Sequence, residues 1–303
     1  MMDVIGFGAL NLDKIYRVDK IPREDEEGFV KDVEFHPGGS AANTIVGLSR
    51  LGFKTGYIGK VGSDGDGELL LKDLKNENVD VSGVIKAEGR SGNALIFVDE
   101  KGNRAILVDP GVNDTIKFDE INLKYVSKFK LLHLTSFICK NGLDSFLSQK
   151  KLVNSLDMKI SFDPGMVYVE RGLNDLMEIL KNTTIFMPNK TEIEMLFKED
   201  YKKAARMATE LGIEVVVVKL GKEGCYIYDG KDEVFVNAER VRAVDTTGAG
   251  DAFNAGFIFG YLKGMDLESC GKLGNLVASL NIRKVGARAG LPRYEEIKEI
   301  LPI

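Results

Sequence analysis

The chain has 303 residues, 44% of them apolar and 29% charged, enough for a large core but with no apolar run of about 18 residues that would span a membrane. The 41 Lys and Arg against 46 Asp and Glu give a net charge of −5, which disfavours sequence-independent binding to nucleic acid. Three scattered cysteines (Cys139, Cys225, Cys270) and two histidines (His36, His133) leave no disulfide framework or zinc site, and with no basic leader they point to the cytoplasm.

In chain order, residues 4–8 form a short apolar run suited to a buried strand. Residues 40–51 predict a helix with Ser40 as its cap, Ile45, Leu48 and Leu51 on one face, and Gly52 as its stop. Strand 54–60 and helix 65–76 follow. Strands are then expected over 131–134, 159–162, 184–187 and 213–219. The last contains Val215, Val216, Val217 and Val218, a β-branched run typical of a strand covered on both faces. Helices over 249–263 and 267–281 close the chain. This alternation predicts an α/β layered fold with a mainly parallel sheet. Two stretches, 13–35 and 91–108, carry strand patterns with no helix between them. The second reads as a hairpin turning at 100–103. They are expected to form a small β-layer standing off the main sheet as a lid. No repeat or linker divides the chain.

The most informative string runs from Asp245 to Phe253, small residues leading directly into a helix. Without side chains at Gly248, Ala249 and Gly250 beyond a methyl, an anion can approach the free N–H groups of the first turn, and the helix dipole favours negative charge there. Asp251 lies at the same terminus, where the dipole is expected to help keep its carboxylate ionised. An anion cradle beside a carboxylate that accepts a proton is what phosphoryl transfer to an alcohol requires. A Gly-rich cap is the bland alternative.

Four further segments carry polar groups at strand ends. Gly38 and Gly39 allow close backbone approach, and Asn43 offers donors and an acceptor one turn later. Asn11 and Asp13 lie beyond the first strand, where open α/β sheets bind ligands. Asn189 and Glu192 are three apart, and either hold a hydrated Mg²⁺ or cap a helix. Lys219, Gly221 and Gly224 follow the valine strand in a loop suited to lying against a nucleotide. Two better-known signals are absent. Gly6 and Gly8 lack the third glycine of a dinucleotide fingerprint, and each Gly-Lys pair lacks the Ser or Thr of a P-loop.

Together these segments resemble, over essentially the whole chain and in family order, the PfkB or ribokinase-like family of carbohydrate and nucleoside kinases. The stretch from Asp245 to Phe257 resembles the C-terminal signature, and Gly38 through Gly52 the N-terminal one. The resemblance implies a three-layer α/β/α domain, residues 1–303, with a small β-sheet lid from about 12–36 and 90–109. It implies Asp251 as catalytic base and Gly248, Ala249 and Gly250 as anion hole. Asn11, Asp13, Gly38, Gly39 and Asn43 match substrate-hydroxyl positions, and Asn189 and Glu192 the motif tied to Mg²⁺ and phosphate. Lys219, Gly221 and Gly224 match the nucleotide loop, with Asn275 near the adenine. ATP and Mg²⁺ are the implied cofactors. Some members also bind a monovalent cation such as K⁺ between Asp245–Thr247 and the last loop, Lys284 to Arg288. The implied partner is a small sugar or nucleoside. Separately, exposed strand edges of the lid invite pairing with a second copy as a homodimer. Two departures stand out: Ser40 where ribokinases carry a lysine, and Leu134–Phe137 where they place a glutamate near the sugar. Both weigh against D-ribose itself. The expected function is ATP-dependent phosphorylation of a sugar. A nucleoside kinase, and a non-catalytic sugar- or nucleotide-binding regulator, are the alternatives.

Overall fold

The computed structural model describes residues 2–300. The first half runs β1 (Met2–Phe7), β2 (Asn11–Val18), β3 (Val30–Gly38), α1 (Ser40–Arg50), β4 (Thr55–Gly62), α2 (Gly65–Asn76), β5 (Asp80–Ala87), β6 (Gly92–Val98) and β7 (Arg104–Asp109). Then come α3 (Leu123–Val126), β8 (Phe129–Thr135), α4 (Asp144–Asn154), β9 (Lys159–Asp163), α5 (Gly165–Val169), α6 (Leu173–Lys181) and β10 (Ile185–Phe186). The chain ends with α7 (Lys190–Phe197), α8 (Tyr201–Glu210), β11 (Val215–Lys219), β12 (Cys225–Tyr228), β13 (Glu233–Val236), α9 (Ala249–Leu262), α10 (Leu267–Asn281) and α11 (Tyr294–Ile297).

Nine strands form the main sheet in the order β13-β12-β11-β10-β9-β8-β1-β4-β5. Pairing is parallel from β11 to β5, and β12 and β13 add an antiparallel edge. Successive strand residues point to opposite faces, so a sheet covered on both sides needs apolar residues at every position. Val4, Leu131 and Val217 face the layer of α1, α2, α9 and α10. Ile5, Leu132 and Val218 face the layer of α4, α6, α7 and α8. All six are fully buried, at about 1.5–3 kcal/mol for each side chain. The three layers are those anticipated. The small sheet is separate, with order β3-β2-β6-β7, and spans 11–38 and 92–109, close to the expected bounds. No helix among the described residues is long and apolar enough to cross a membrane.

Two of the differences from expectation bear on the site. The predicted strand 184–187 is assigned only at Ile185–Phe186, although Thr184 and Met187 N–H groups still donate to Ile160 and Phe162 carbonyls at 2.8 Å. Ser40 does not cap α1. Gly39 occupies the cap position with φ 101°, and a Cβ there would lie 2.2 Å from the Ala9 carbonyl oxygen. Only glycine fits, and Ser40 becomes the first helical residue with its hydroxyl free for another partner.

Candidate active site

Helix α9 begins at Gly248, whose left-handed φ of 73° turns the chain into the first turn. A Cβ at Gly248 would sit 2.8 Å from both Cβ and O of Ala287, so the last loop packs directly on this corner. Among the described residues, the N–H groups of Gly248, Gly250 and Asp251 find no protein acceptor, whereas that of Ala249, expected in the anion hole, is taken by the Thr246 carbonyl at 3.1 Å because the turn entering the helix closes on it. The other three are free donors at the positive end of a 14-residue helix.

Asp251 lies on that first turn but does not cap the helix. Its Oδ1 accepts from Ser40 Oγ at 2.5 Å and its Oδ2 from Asn43 Nδ2 at 2.8 Å, both on α1. Thr44 Oγ1 donates to the Asp251 carbonyl at 3.2 Å. The two helices approach closely because Gly47 faces Ala255, where a Cβ would come within 2.8 Å. Burial raises the carboxyl pKa, and the Ser40 and Asn43 hydrogen bonds pull it part of the way back. Desolvation thus opposes the dipole, and Asp251 is more basic than an ordinary aspartate. That suits proton abstraction near neutral pH.

Asp13 projects from β2 opposite His36 of β3 and beside Gly38, where a Cβ would stand 3.0 Å from its Oδ2. Burial raises its pKa to about 6, against the opposing charges of Arg288 and His36. Asn11 accepts from Asn113 Nδ2 at 2.9 Å. The amide of Asn43 is engaged at both ends, since its Oδ1 accepts from Arg288 Nε at 2.7 Å.

Beyond Gly250 opens a cleft of about 780 Å³. Lys219, Gly221, Gly224 and Asn275 line it together with Ala249 and Gly250. Asn275 uses its Nδ2 on the carbonyls of Val236 and Asn237, at 3.1 and 3.3 Å. Lys219 does more than border the cleft. Its ammonium pairs with Asp163 at the end of β9 and lies 3.4 Å from Asn254 Oδ1, while Asn254 Nδ2 donates to Asp163 at 2.6 Å. Asn189 and Glu192 stand next to this group, because Asn189 bridges to Lys219. They form a reciprocal cap on α7: Glu192 N–H donates to Asn189 Oδ1 at 2.9 Å and Asn189 N–H to Glu192 Oε2 at 2.8 Å. Glu192 is buried, and burial first and Asp163 second raise its pKa, against Lys219.

Residues 1–293 match the family described as pfkB family carbohydrate kinase. The chain belongs to the PfkB family of carbohydrate kinases. It is 65% identical over 248 residues to an uncharacterized sugar kinase of Archaeoglobus fulgidus, covering 82% of this chain and 99% of that one. An ATP-dependent ribose-1-phosphate kinase of Halopiger xanaduensis is 32% identical over 290 residues, 95% of each chain. Among solved structures, a ribokinase from Thermotoga maritima superposes with a TM-score of 0.89 at 27% identity over 100% of both chains.

In this PfkB-family kinase the anticipated residues fall into two groups. Asp251 is joined directly to Asn43, and Asn43 through Arg288 to Gly38 beside Asp13, while the Lys219–Gly224 loop and Asn275 line the cleft. Asp163, Asn254 and Arg288 were not singled out from sequence. A signal existed for Asp163, a polar residue just beyond a strand's carboxyl end, and for Asn254, one turn after Asp251. For Arg288 there was none, since nothing local announces a partner 245 positions away.

Proposed function

We propose that this kinase transfers the γ-phosphoryl group of ATP to a hydroxyl of a pentose-type sugar, with Asp251 as the base. The observation that carries this reading is the first turn of α9, where N–H groups unpartnered among the described residues and a hydrogen-bonded carboxylate of raised pKa share one corner beside the cleft. A sugar hydroxyl against Asp251 gives up its proton to the carboxylate as its oxygen forms the new bond to phosphorus. The bond from phosphorus to the bridging oxygen breaks, and ADP leaves. Gly248, Gly250 and Asp251 N–H groups meet the charge on the transferring group without reorganising. Asn11, Asp13 and the Gly38–Gly39 turn hold the other sugar hydroxyls. The nucleotide lies along Gly221, Gly224 and Asn275, and β2, β3, β6 and β7 cover the acceptor as a lid.

Among the described residues no cluster of three or more His, Cys, Asp or Glu could hold a metal by itself. Mg²⁺ keeps waters and takes phosphate oxygens with one or two carboxylates. Glu192 fits that part, because its Oε2 serves the helix cap and its Oε1 has no protein partner among the described residues. Mg²⁺ neutralises phosphate charge when bound. A K⁺ site between the Asp245 and Gly286 segments, joined by a 2.9 Å hydrogen bond from Gly286 N–H to Asp245 Oδ2, belongs to the same reading. So does pairing of two copies through the exposed Phe35, Ile106 and Leu107 of the small sheet.

A pentose acceptor is favoured by the ribose-1-phosphate kinase name of the Halopiger relative. ADP release measured with ATP, Mg²⁺ and a panel of D-ribose, ribose 1-phosphate, hexoses and nucleosides tests the assignment. A pentose is expected to turn over fastest. Preference for a nucleoside would move the substrate class, and no turnover with any of them would favour a non-catalytic binder.

A further inference from the structure

Behind Asn43 lies Arg288, a guanidinium 8% exposed whose hydrogen bonds reach three separate elements. Its Nε donates to Asn43 Oδ1 at 2.7 Å on α1, and its Nη2 donates to the Gly38 carbonyl at 3.1 Å at the end of β3. Its Nη1 donates to the Asp73 carboxylate on α2. The backbone at this point is itself clamped, because Arg50 Nη1 donates to the Arg288 carbonyl at 2.7 Å and to the Leu291 carbonyl at 3.0 Å. Arg50 is held in turn by Glu77, with Nη2 to Oε1 at 2.6 Å.

An asparagine amide has an acceptor end and a donor end, and which way it faces is set by its partners. A guanidinium offers only donors, so it accepts nothing and tolerates only the Oδ1 end of Asn43. That fixes Nδ2 toward Asp251 Oδ2, at 2.8 Å. With the amide reversed, a carbonyl oxygen would face the carboxylate.

We propose that Arg288 is a positioning residue for the acceptor site: it fixes the amide of Asn43, and through it the carboxylate of Asp251, while pinning the Gly38 carbonyl beside Asp13. The inference rests on Asp251 being the base. Arg288 touches no reacting atom. Its buried charge also faces both acceptor-site acids. The groups around Asp251 are Ser40 and Asn43 on α1, Asp163 at the end of β9 and Lys219 at the end of β11. Those around Arg288 are Asp73 on α2, Glu77 just after it, Tyr57 on β4 and Asp251, and Arg288 holds down the raised pKa of Asp13 on β2.

The test compares wild type with Arg288→Gln, Arg288→Lys and Asp73→Asn, using the panel compound that wild type phosphorylates fastest and measuring ADP affinity by calorimetry. Arg288→Gln is expected to lower kcat by about tenfold or more, as misplacement of a catalytic group does. ADP affinity stays within about threefold, and the acid limb of kcat moves up by about half a pH unit or more, chiefly because the carboxylate loses the nearby positive charge. Arg288→Lys returns the charge without the fork, so it recovers the limb and not the turnover. Combining Arg288→Gln with Asn43→Ala is no slower than Asn43→Ala alone. Unchanged kcat and limb in Arg288→Gln overturn the proposal, as does a turnover loss matched by an equal loss of ADP affinity, the mark of a general structural role. If Arg288→Gln does not fold, Arg288→Lys and Asp73→Asn decide by the same readouts. Asp251→Asn separates the two ideas. An active Asp251→Asn removes the base assignment itself, whereas an inactive one beside a normal Arg288→Gln removes only the positioning role.

Discussion

Ser40 donates its hydroxyl to Asp251 Oδ1 at 2.5 Å, joining the first residue of α1 to the first turn of α9 across 211 positions of sequence. A donor to a carboxylate favours its charged form and lowers its pKa, so Ser40 opposes the rise that burial causes in Asp251. Ser40→Ala removes that opposition. The pKa of Asp251 rises, and a base that must be ionised loses activity at higher pH than before. The acid limb of the kcat–pH profile is expected to move upward, with turnover on the alkaline plateau falling less than about tenfold. A limb that stays in place would mean Ser40 does not act on the base.

Asp13 has a carboxyl pKa raised to about 6 by burial, above its ordinary 3.8. A group that binds protons more tightly when folded favours folding at low pH and opposes it as pH rises through the window from about 4 to 6. Asp13→Asn removes this penalty. The variant is expected to melt higher than wild type at pH 7–8, with the gap closing toward pH 4, while KM rises for the acceptor and not for ATP. Equal melting curves at both pH values, or a rise confined to ATP, contradict the placement of Asp13.

Lys219 and Asp163 form a buried pair, with side chains 12% and 9% exposed. Removing one partner leaves an uncompensated charge. Lys219→Met is expected to lose about 3–5 kcal/mol in denaturant unfolding. Lys219→Met with Asp163→Leu should recover most of that. A single variant as stable as wild type would show that water reaches the pair.

Gly248 and Gly250 differ in what they can accept. Gly248→Ala forces a Cβ into Ala287 at a positive φ and is expected to cost about 1–3 kcal/mol of stability. At Gly250 the backbone is helical, and the nearest atom to a Cβ is Lys219 Nζ at 3.5 Å, an ordinary contact. Gly250→Ala should therefore fold normally yet lower kcat/KM for ATP by about tenfold or more, because the methyl occupies the phosphate's approach. Normal kinetics in Gly250→Ala would place the phosphates elsewhere.

Much of the fold was legible because the strand and helix periods are strong. Helices 65–76 and 267–281 fall at the observed bounds, and the valine strand is buried on both faces as its composition requires. What escaped were effects of residues distant in sequence. Ser40 reads locally as a cap, and only the close approach of Ala9 to Gly39 and of α9 to α1 gives its hydroxyl to Asp251. Asn189 and Glu192 were open between a cap and a metal site. The cap is present, and among the described residues it engages only Oε2 of the Glu192 carboxylate. The ionisation of Asp251 was read from the helix dipole alone, because burial has no local signature in sequence.

The central claim is that Asp251 takes the proton of the acceptor hydroxyl. Asp251→Asn keeps the size and one acceptor oxygen for its two donors, Ser40 and Asn43, but cannot accept that proton. Turnover measured with purified, folded variant at saturating ATP, Mg²⁺ and acceptor is expected to fall by at least about a hundredfold, with ADP affinity intact. Turnover within a few-fold of wild type would contradict the account.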